Sequence, residues 1–292
     1  MKGIILAGGL GSRLYPLTAS LSKQLLPIYD KPMIYYPLSV LMYSGIREIL
    51  IITTPNHIRL YETLLGDGKR IGIKIKYKIQ NEPKGLADAF ILGEEFIGND
   101  SVCMMLGDNL LYGDGLLEIL NKSKEEVDNH NKSVIYGYYV NRPEEYGIIS
   151  FDSHNNITSI EEKPSNPKSN CAAIGLYMYP NDVIEKAKLV QPSERGEIEI
   201  TSLNNMYLTE NRLKVIPLGR GYSWFDTGTN ESLVEASQLI MSVEKRSGLK
   251  VGCIEEIALQ NNFISSDDFL SIINNLKDCE YKSYLRKVLN KN

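Results

Sequence analysis

The sequence predicts an α/β protein: a mostly parallel sheet flanked by helices, extended by mixed or antiparallel strands and closed by a C-terminal helical appendage. Three observations predict it. Short apolar runs alternate with helical patterns through residues 1–106, the signature of crossover-connected parallel strands. Three polar features, Gly8, Gln80 and Asp108, each fall just after such a run. Ligands of open parallel sheets bind at those strand ends. The later half turns to strands with short connections and, from Thr229 onward, to a helical pattern almost to the end.

The elements follow in order. Residues 2–7 are a short apolar run ending in glycines and read as a buried strand. Residues 33–44 space Ile34, Leu38, Leu41 and Met42 on a helix that Gly45 ends. Residues 48–54 are a second buried strand, and 56–65 a helix capped by Asn56. Strict alternation over 74–79 suits an edge strand; 86–96 is helical and 101–106 is again a buried strand. Strands follow at 133–140, 147–151, 157–161 and 172–179, then helices at 181–189 and 197–208, and strands at 213–218 and 222–225. The helical tail breaks near Gly248–Gly252 and Ser265–Ser266, so the reading is one unit over 1–245 with an extension, 246–292, packed against it.

Composition narrows the function. A net charge of −4 carries no electrostatic footprint for a nucleic-acid polymer. No stretch reaches the about 20 apolar residues of a membrane span, and residues 3–7 are too short for a secretory signal. Cys103, Cys171, Cys253 and Cys279 form no C-x-x-C pair, and His57, His130 and His154 show no metal-type spacing. A reduced, cytoplasmic setting is the expectation.

The first strand runs into Gly8-Gly9-Leu10-Gly11-Ser12-Arg13. Glycines let several N–H groups converge on one anion, and Arg13 adds a fork of donors. The spacing is not that of a Walker A loop. Arg13 and Leu14 stand where a dinucleotide fingerprint needs its third glycine, so a dehydrogenase is excluded. Lys23, flanked by Ser22 and Gln24, supplies a second cation for the same polyphosphate.

The runs Leu-Ala-Gly-Gly-Leu-Gly-Ser-Arg-Leu-Tyr-Pro-Leu-Thr and Ser-Lys-Gln-Leu-Leu-Pro-Ile-Tyr-Asp-Lys-Pro-Met resemble those of the sugar-1-phosphate nucleotidyltransferase family. The resemblance spans essentially the whole chain. Residues 248–258 are similar to the short thymidylyltransferase branch in particular. It implies a Rossmann-like nucleotidyltransferase sheet, and attack by the phosphate of glucose 1-phosphate on the α-phosphorus of dTTP. The products would be dTDP-glucose, on the way to dTDP-deoxysugars such as dTDP-rhamnose, and pyrophosphate.

That resemblance implies roles. Gly8, Gly9, Gly11, Ser12, Arg13, Lys23 and Gln24 would hold the nucleotide, with Gln80 and Gly85 at the base. Asp108 and Asp226 would bind Mg²⁺. Arg13, Lys23 and Lys163 would neutralise charge in the transition state. Leu86, Asn109, Tyr146, Gly147, Glu161, Lys163, Ile174, Tyr177 and Arg195 would line the sugar-phosphate side. Position 88 is Asp where the resemblance leads one to expect Gln. The resemblance also implies a homotetramer inhibited by a downstream dTDP-deoxysugar at a separate site. The competing readings are a sibling enzyme using UTP or another sugar 1-phosphate, and a non-catalytic nucleotide-sugar sensor. A sensor should lack the cationic and metal residues, and all are present.

Overall fold

The computed structural model describes residues 1–9 and 11–290. Nine of the described strands form the main sheet. They are β1 (Lys2–Ala7), β2 (Glu48–Thr53), β3 (Lys74–Ile79), β4 (Val102–Leu106), β5 (Ser133–Tyr139), β6 (Gly147–Phe151), β7 (Ile157–Glu162), β8 (Cys171–Tyr179) and β9 (Leu213–Pro217). The order along one path is β7-β6-β8-β4-β1-β2-β3, with β5 on β8 and β9 on β5. The pairs β1–β2, β1–β4 and β2–β3 are parallel. The additions on β8, β6 and β7 are antiparallel, as the change in sequence pattern at midchain predicts. Strand β3 is the edge, as its alternation predicts.

Alternate side chains of the parallel strands enter opposite layers. Ile5, Ile49, Ile51, Cys103 and Met105 belong to one core cluster, and Ile4, Leu50, Ile52, Val102 and Met104 to the other. Both faces are covered, which is why these strands read as unbroken apolar runs. The order also locates the site. From β1 the chain moves outward to β2 and β3, then returns to place β4 on the far side of β1. The crevice at such a reversal is where open α/β sheets bind ligands. Here it lies between Gly8 and Gly107-Asp108.

Two expectations about helices change. Residues 86–96 are not one helix: Asp88–Leu92 and Glu94–Ile97 are separated at Gly93. The helix Ile58–Leu65 starts after His57 with no side-chain cap, so Asn56 does not cap it. Helix Leu116–His130 was not among the sequence expectations; its apolar stripe is narrow, with Leu120, Ser123 and Val127 the buried positions. Thr229 does cap Asn230–Ser247, in a reciprocal capping box with Ser232.

The C-terminal helices Ile254–Gln260, Ser266–Asn275 and Glu280–Leu289 share their own apolar cluster. Polar ties bind them to the rest. Arg47 Nη2 donates to Phe263 O at 2.8 Å, Arg70 pairs with Glu255 at 2.7 Å and Asn261 Nδ2 donates to Met42 O at 2.8 Å. Lys31, 2% exposed, meets Glu244 at 2.8 Å, and Lys250 joins Glu244 at 3.2 Å and also Asp30. Among the described residues no helix is long and apolar enough to cross a membrane.

The buried Lys31–Glu244 pair yields a stability prediction. Glu244→Leu takes from a buried ammonium one of its two carboxylate partners, Asp30 being the other, so it should lower unfolding free energy by about 1–3 kcal/mol. Urea unfolding at constant m-value checks this; a midpoint equal to the parent's would show the pair to contribute nothing.

Candidate active site

The glycine loop leaves β1 at the switch point. Leu10 lies outside the described residues. Gly8 passes close to β3's end: a Cβ on it would sit 2.9 Å from Gln80 Oε1. Gly11 has φ 60° and a Cβ there would meet Thr18 at 2.8 Å, so both the turn and the packing require glycine. Ser12 and Arg13 begin a short 3₁₀ turn. Gly107 fits where β4 leaves the sheet, since a Cβ there would lie 3.0 Å from Leu6 O and 3.1 Å from Gln24 Cγ. Gln24 is buried, its Oε1 accepting from Ser22 and Tyr61.

Lys23 holds the centre. Its Nζ donates to Asp108 Oδ2 at 2.7 Å and to the Asp226 carbonyl at 3.0 Å. Asn109 Nδ2 donates to Asp108 Oδ1 at 2.9 Å. Asn109 Oδ1 in turn accepts from the Gly175 amide at 3.1 Å and Trp224 Nε1 at 2.6 Å. Thr227 Oγ1 closes the ring on Asp108 O at 2.6 Å. The Gly228 amide donates to Asp226 Oδ1 at 3.2 Å, and a Cβ on Gly228 would lie 2.9 Å from Arg13 Nη2 and 3.4 Å from Asp226 Oδ2. So Lys23 stands against one aspartate and Arg13 beside the other.

Arg13, Asp108, Asn109, Gly175, Trp224 and Asp226 border a cleft of about 530 Å³, lined also by Leu86, Tyr146, Gly147, Glu162, Lys163 and Tyr177, with Lys23 behind the aspartates and outside the lining. Burial, with the Asp226 and Glu145 carboxylates nearby, pushes the Tyr146 phenol up to about 12. It is a neutral hydrogen-bond donor at physiological pH. Lys163 (φ 42°) and Thr227 (φ 41°) are non-glycine residues held in the left-handed region. Such conformations persist where surrounding structure enforces them, and they cluster at functional sites.

Three residues expected on the sugar side stand elsewhere. Glu161 pairs with Lys168 at 2.6 Å on the outer face of β7. The next residue, Glu162, lines the cleft and accepts from Thr201 Oγ1 at 2.5 Å. Strand alternation sends adjacent residues to opposite faces, and Ile160, buried, already marks Glu162's side. Ile174 belongs to the core, while its neighbours Ala173 and Gly175 face the cleft. A register break in β8 between Ala173 and Tyr177 opens the strand there. Arg195 is outside the lining, bound to Glu199 at 2.8 Å and 3.7 Å from Glu162. Gly85 (φ 100°) stands further back. A Cβ on it would overlap Ile198 O at 2.4 Å, and Ile198 N donates to Lys84 O at 2.7 Å. The turn that carries Leu86 is thus strapped to the segment before helix Ile200–Thr209. Sequence reading also missed Thr201 and Trp224, both in the lining. The polar residue two positions before Asp226 is Trp224, whose indole N–H needs a buried partner.

The profile of the nucleotidyl transferase family matches residues 2–243. A glucose-1-phosphate thymidylyltransferase of Neisseria meningitidis serogroup A is 49% identical over all of both chains. Among solved structures, a Bacillus anthracis protein assigned as a glucose-1-phosphate thymidylyltransferase, in complex with sucrose, is 38% identical. It superposes with a TM-score of 0.75, over 82% of this chain and 94% of that one. A UDP-glucose pyrophosphorylase complexed with UDP-glucose is 26% identical, with a TM-score of 0.69 over 83% of this chain and 98% of the other. The reversal of strand order, the cationic loop at its mouth and these matches agree: the chain is a nucleotidyltransferase and belongs to the nucleotidyl transferase family.

Proposed function

We propose that this enzyme transfers a thymidylyl group from dTTP to α-D-glucose 1-phosphate, giving dTDP-glucose and pyrophosphate. The observation that carries the reading is Lys23, bonded to Asp108 and to the backbone of Asp226, two residues that line the cleft together with Lys163. Cations for two phosphate-bearing substrates and two carboxylates for a metal converge on one crevice. The Neisseria relative, matched end to end, supports the choice of nucleotide and sugar.

The sugar phosphate is its own nucleophile, ionised near neutral pH, so the protein needs no general base. It has to hold two repelling anions in line and neutralise the charge that develops. In this reading Arg13 and the amides of Gly9, Gly11 and Ser12 would bind the triphosphate, Lys163 the sugar phosphate, and the Tyr146 hydroxyl would donate between them. Glu162, Thr201, Asn109 and Tyr177 give the opposite wall hydroxyl-binding groups.

Asp108 and Asp226 are the residues that would hold Mg²⁺. Both face the cleft, both are hard oxygen donors, and the lining contains no histidine or cysteine, a set suited to that ion. Among the described residues no three acidic, histidine or cysteine side chains gather as a cage, so phosphate oxygens and water would complete the coordination. Bound there, the ion would shield the triphosphate and stabilise charge at the α-phosphorus.

We further infer that residues 246–292 extend the same unit, on the strength of the Arg47, Arg70 and Asn261 ties. The proposed setting is cytoplasmic, in keeping with four unpaired thiols. The proposal also includes a homotetramer with feedback by a dTDP-deoxysugar. A separate cleft of about 350 Å³ between Tyr36, Leu111 and Lys250 offers room for such an effector.

Pyrophosphate release measured across dTTP, UTP, dCTP and purine triphosphates, each with several sugar 1-phosphates, tests the reaction. The expected best pair is dTTP with glucose 1-phosphate; a clear preference for UTP would replace the thymidylyl reading. Lys163→Ala should lower kcat/KM for glucose 1-phosphate by roughly 10²–10³-fold, with kcat falling too, because Lys163 faces charge that grows in the transition state. Unchanged steady-state kinetics would remove Lys163 from the site. Asp226→Asn should shift the Mg²⁺ activation curve to at least about tenfold higher concentration, the scale seen for perturbed metal ligation. A titration superposing on the parent's would leave Asp226 a purely structural turn residue.

A further inference from the structure

Gln80 and Asp88 form a buried side-chain pair beside the glycine loop. They are 6% and 7% exposed, and Gln80 Nε2 donates to Asp88 Oδ2 at 2.8 Å. Asp88 opens the short helix Asp88–Leu92, whose N-cap is Ala87 and carries no side-chain cap. Gln80 follows β3 directly, and its amide N–H donates to Thr53 O at 2.8 Å. The backbone is therefore anchored to the sheet, and only the side-chain amide is left to turn.

An ionised carboxylate accepts hydrogen bonds and cannot donate. Asp88 therefore permits one orientation of the amide, with Nε2 inward and Oε1 outward. The outward oxygen lies 2.9 Å from where a Cβ on Gly8 would be, over the first residue of the loop. Among the described residues it accepts no hydrogen bond, and it is not one of the buried atoms lacking a partner, so it keeps contact with solvent. An oriented, unfilled acceptor stands at the edge of the nucleotide subsite.

We propose that Asp88 is a positioning residue for base selection: it fixes the Gln80 amide so that Oε1 accepts from a base carrying an imide N–H, as thymine and uracil do at N3. Cytosine has a lone pair at that atom, so it would set acceptor against acceptor. Were the amide free to turn, Nε2 would face the base and the discrimination would disappear. The inference rests on the nucleotide-binding reading of this cleft. A buried acceptor left facing a lone pair forfeits on the order of 10- to 100-fold in affinity or kcat/KM.

Two measurements test it. In the parent enzyme, calorimetric Kd values should favour dTTP over dCTP by at least about tenfold; equal binding overturns the proposal without any variant. Asp88→Asn then offers both a donor and an acceptor to Gln80, so either amide orientation is satisfied. The kcat/KM ratio of dTTP to dCTP should fall about tenfold or more in D88N. A thermal melt establishes that this variant is folded. A folded D88N that keeps the parental ratio shows Asp88 to be a structural partner only, since loss of stability alone would not move a ratio between two bases. Turnover of dTTP by the parent is the separate control. Its absence with every triphosphate would sink the nucleotidyl-transfer reading and this inference with it, whereas turnover with an unmoved ratio sinks only the role of Asp88.

Discussion

The Lys23 ammonium is the contact on which the rest of the site depends. It joins a residue of the first loop to the end of β4 and to a turn more than two hundred positions later. The side chain is almost wholly buried, and removing an ammonium from water is expensive unless charge and hydrogen bonds replace the hydration shell. The Asp108 carboxylate and the Asp226 carbonyl supply that replacement. Reciprocally, Asp108 is a carboxylate in a crevice whose charge Lys23 matches. The pair therefore holds the crevice in a definite shape before any anion arrives, and preorganised charge acts without reorganising during reaction.

The backbone around that ammonium is built to its tolerance. Gly107 lets β4 turn out of the sheet against Leu6 and Gln24, where a methyl group would collide with main chain. Thr227 pays a left-handed conformation to put its hydroxyl on the Asp108 carbonyl, and Lys163 adopts the same region while its amide donates to Tyr146 O at 2.9 Å. Each residue is fixed by a bond to an element far away in sequence. The aspartates, the lysines and the tyrosine thus share one frame, and a displacement at any one turn reaches the others.

Features that depend on period and on strand ends were legible in the sequence. Unbroken apolar runs marked strands buried on both faces, and the polar residues after them marked the switch-point crevice. Those signals arise from local spacing. What was not legible depends on contacts between distant segments. Glu161 and Glu162 are chemically the same; alternation picks the inner one only once Ile160 is known to face the core, and the contact with Thr201 then fixes Glu162 there. Ile174 and Tyr177, three positions apart, fall on opposite faces by alternation, and only the assembled sheet shows which face is the cleft: Gly175 and Tyr177 line it, while Ile174 joins the core with Leu176 and Met178. Arg195 is claimed by three carboxylates nearby in space, two of them also nearby in sequence. Helix Leu116–His130 is amphipathic, but it is so polar on average that its buried stripe of Leu120, Ser123 and Val127 does not stand out as an apolar run.

The two ends of the site solve different physical problems, and the sheet separates them. The phosphate end must neutralise several negative charges on a protein that is itself net negative. Of its cations, Lys23 is already bonded to a carboxylate and a carbonyl of this chain, so an incoming phosphate would compete with groups in place. The base end carries no net steering task. In the proposed binding mode its selectivity would depend on which atom of the Gln80 amide faces outward, a choice set by the Asp88 carboxylate behind it. In that binding mode, binding strength and base choice would be set by different residues beside different strands, Lys23 and Asp108 beside β1 and β4, Gln80 after β3. A substitution at one end can alter its own property while leaving the geometry of the other intact.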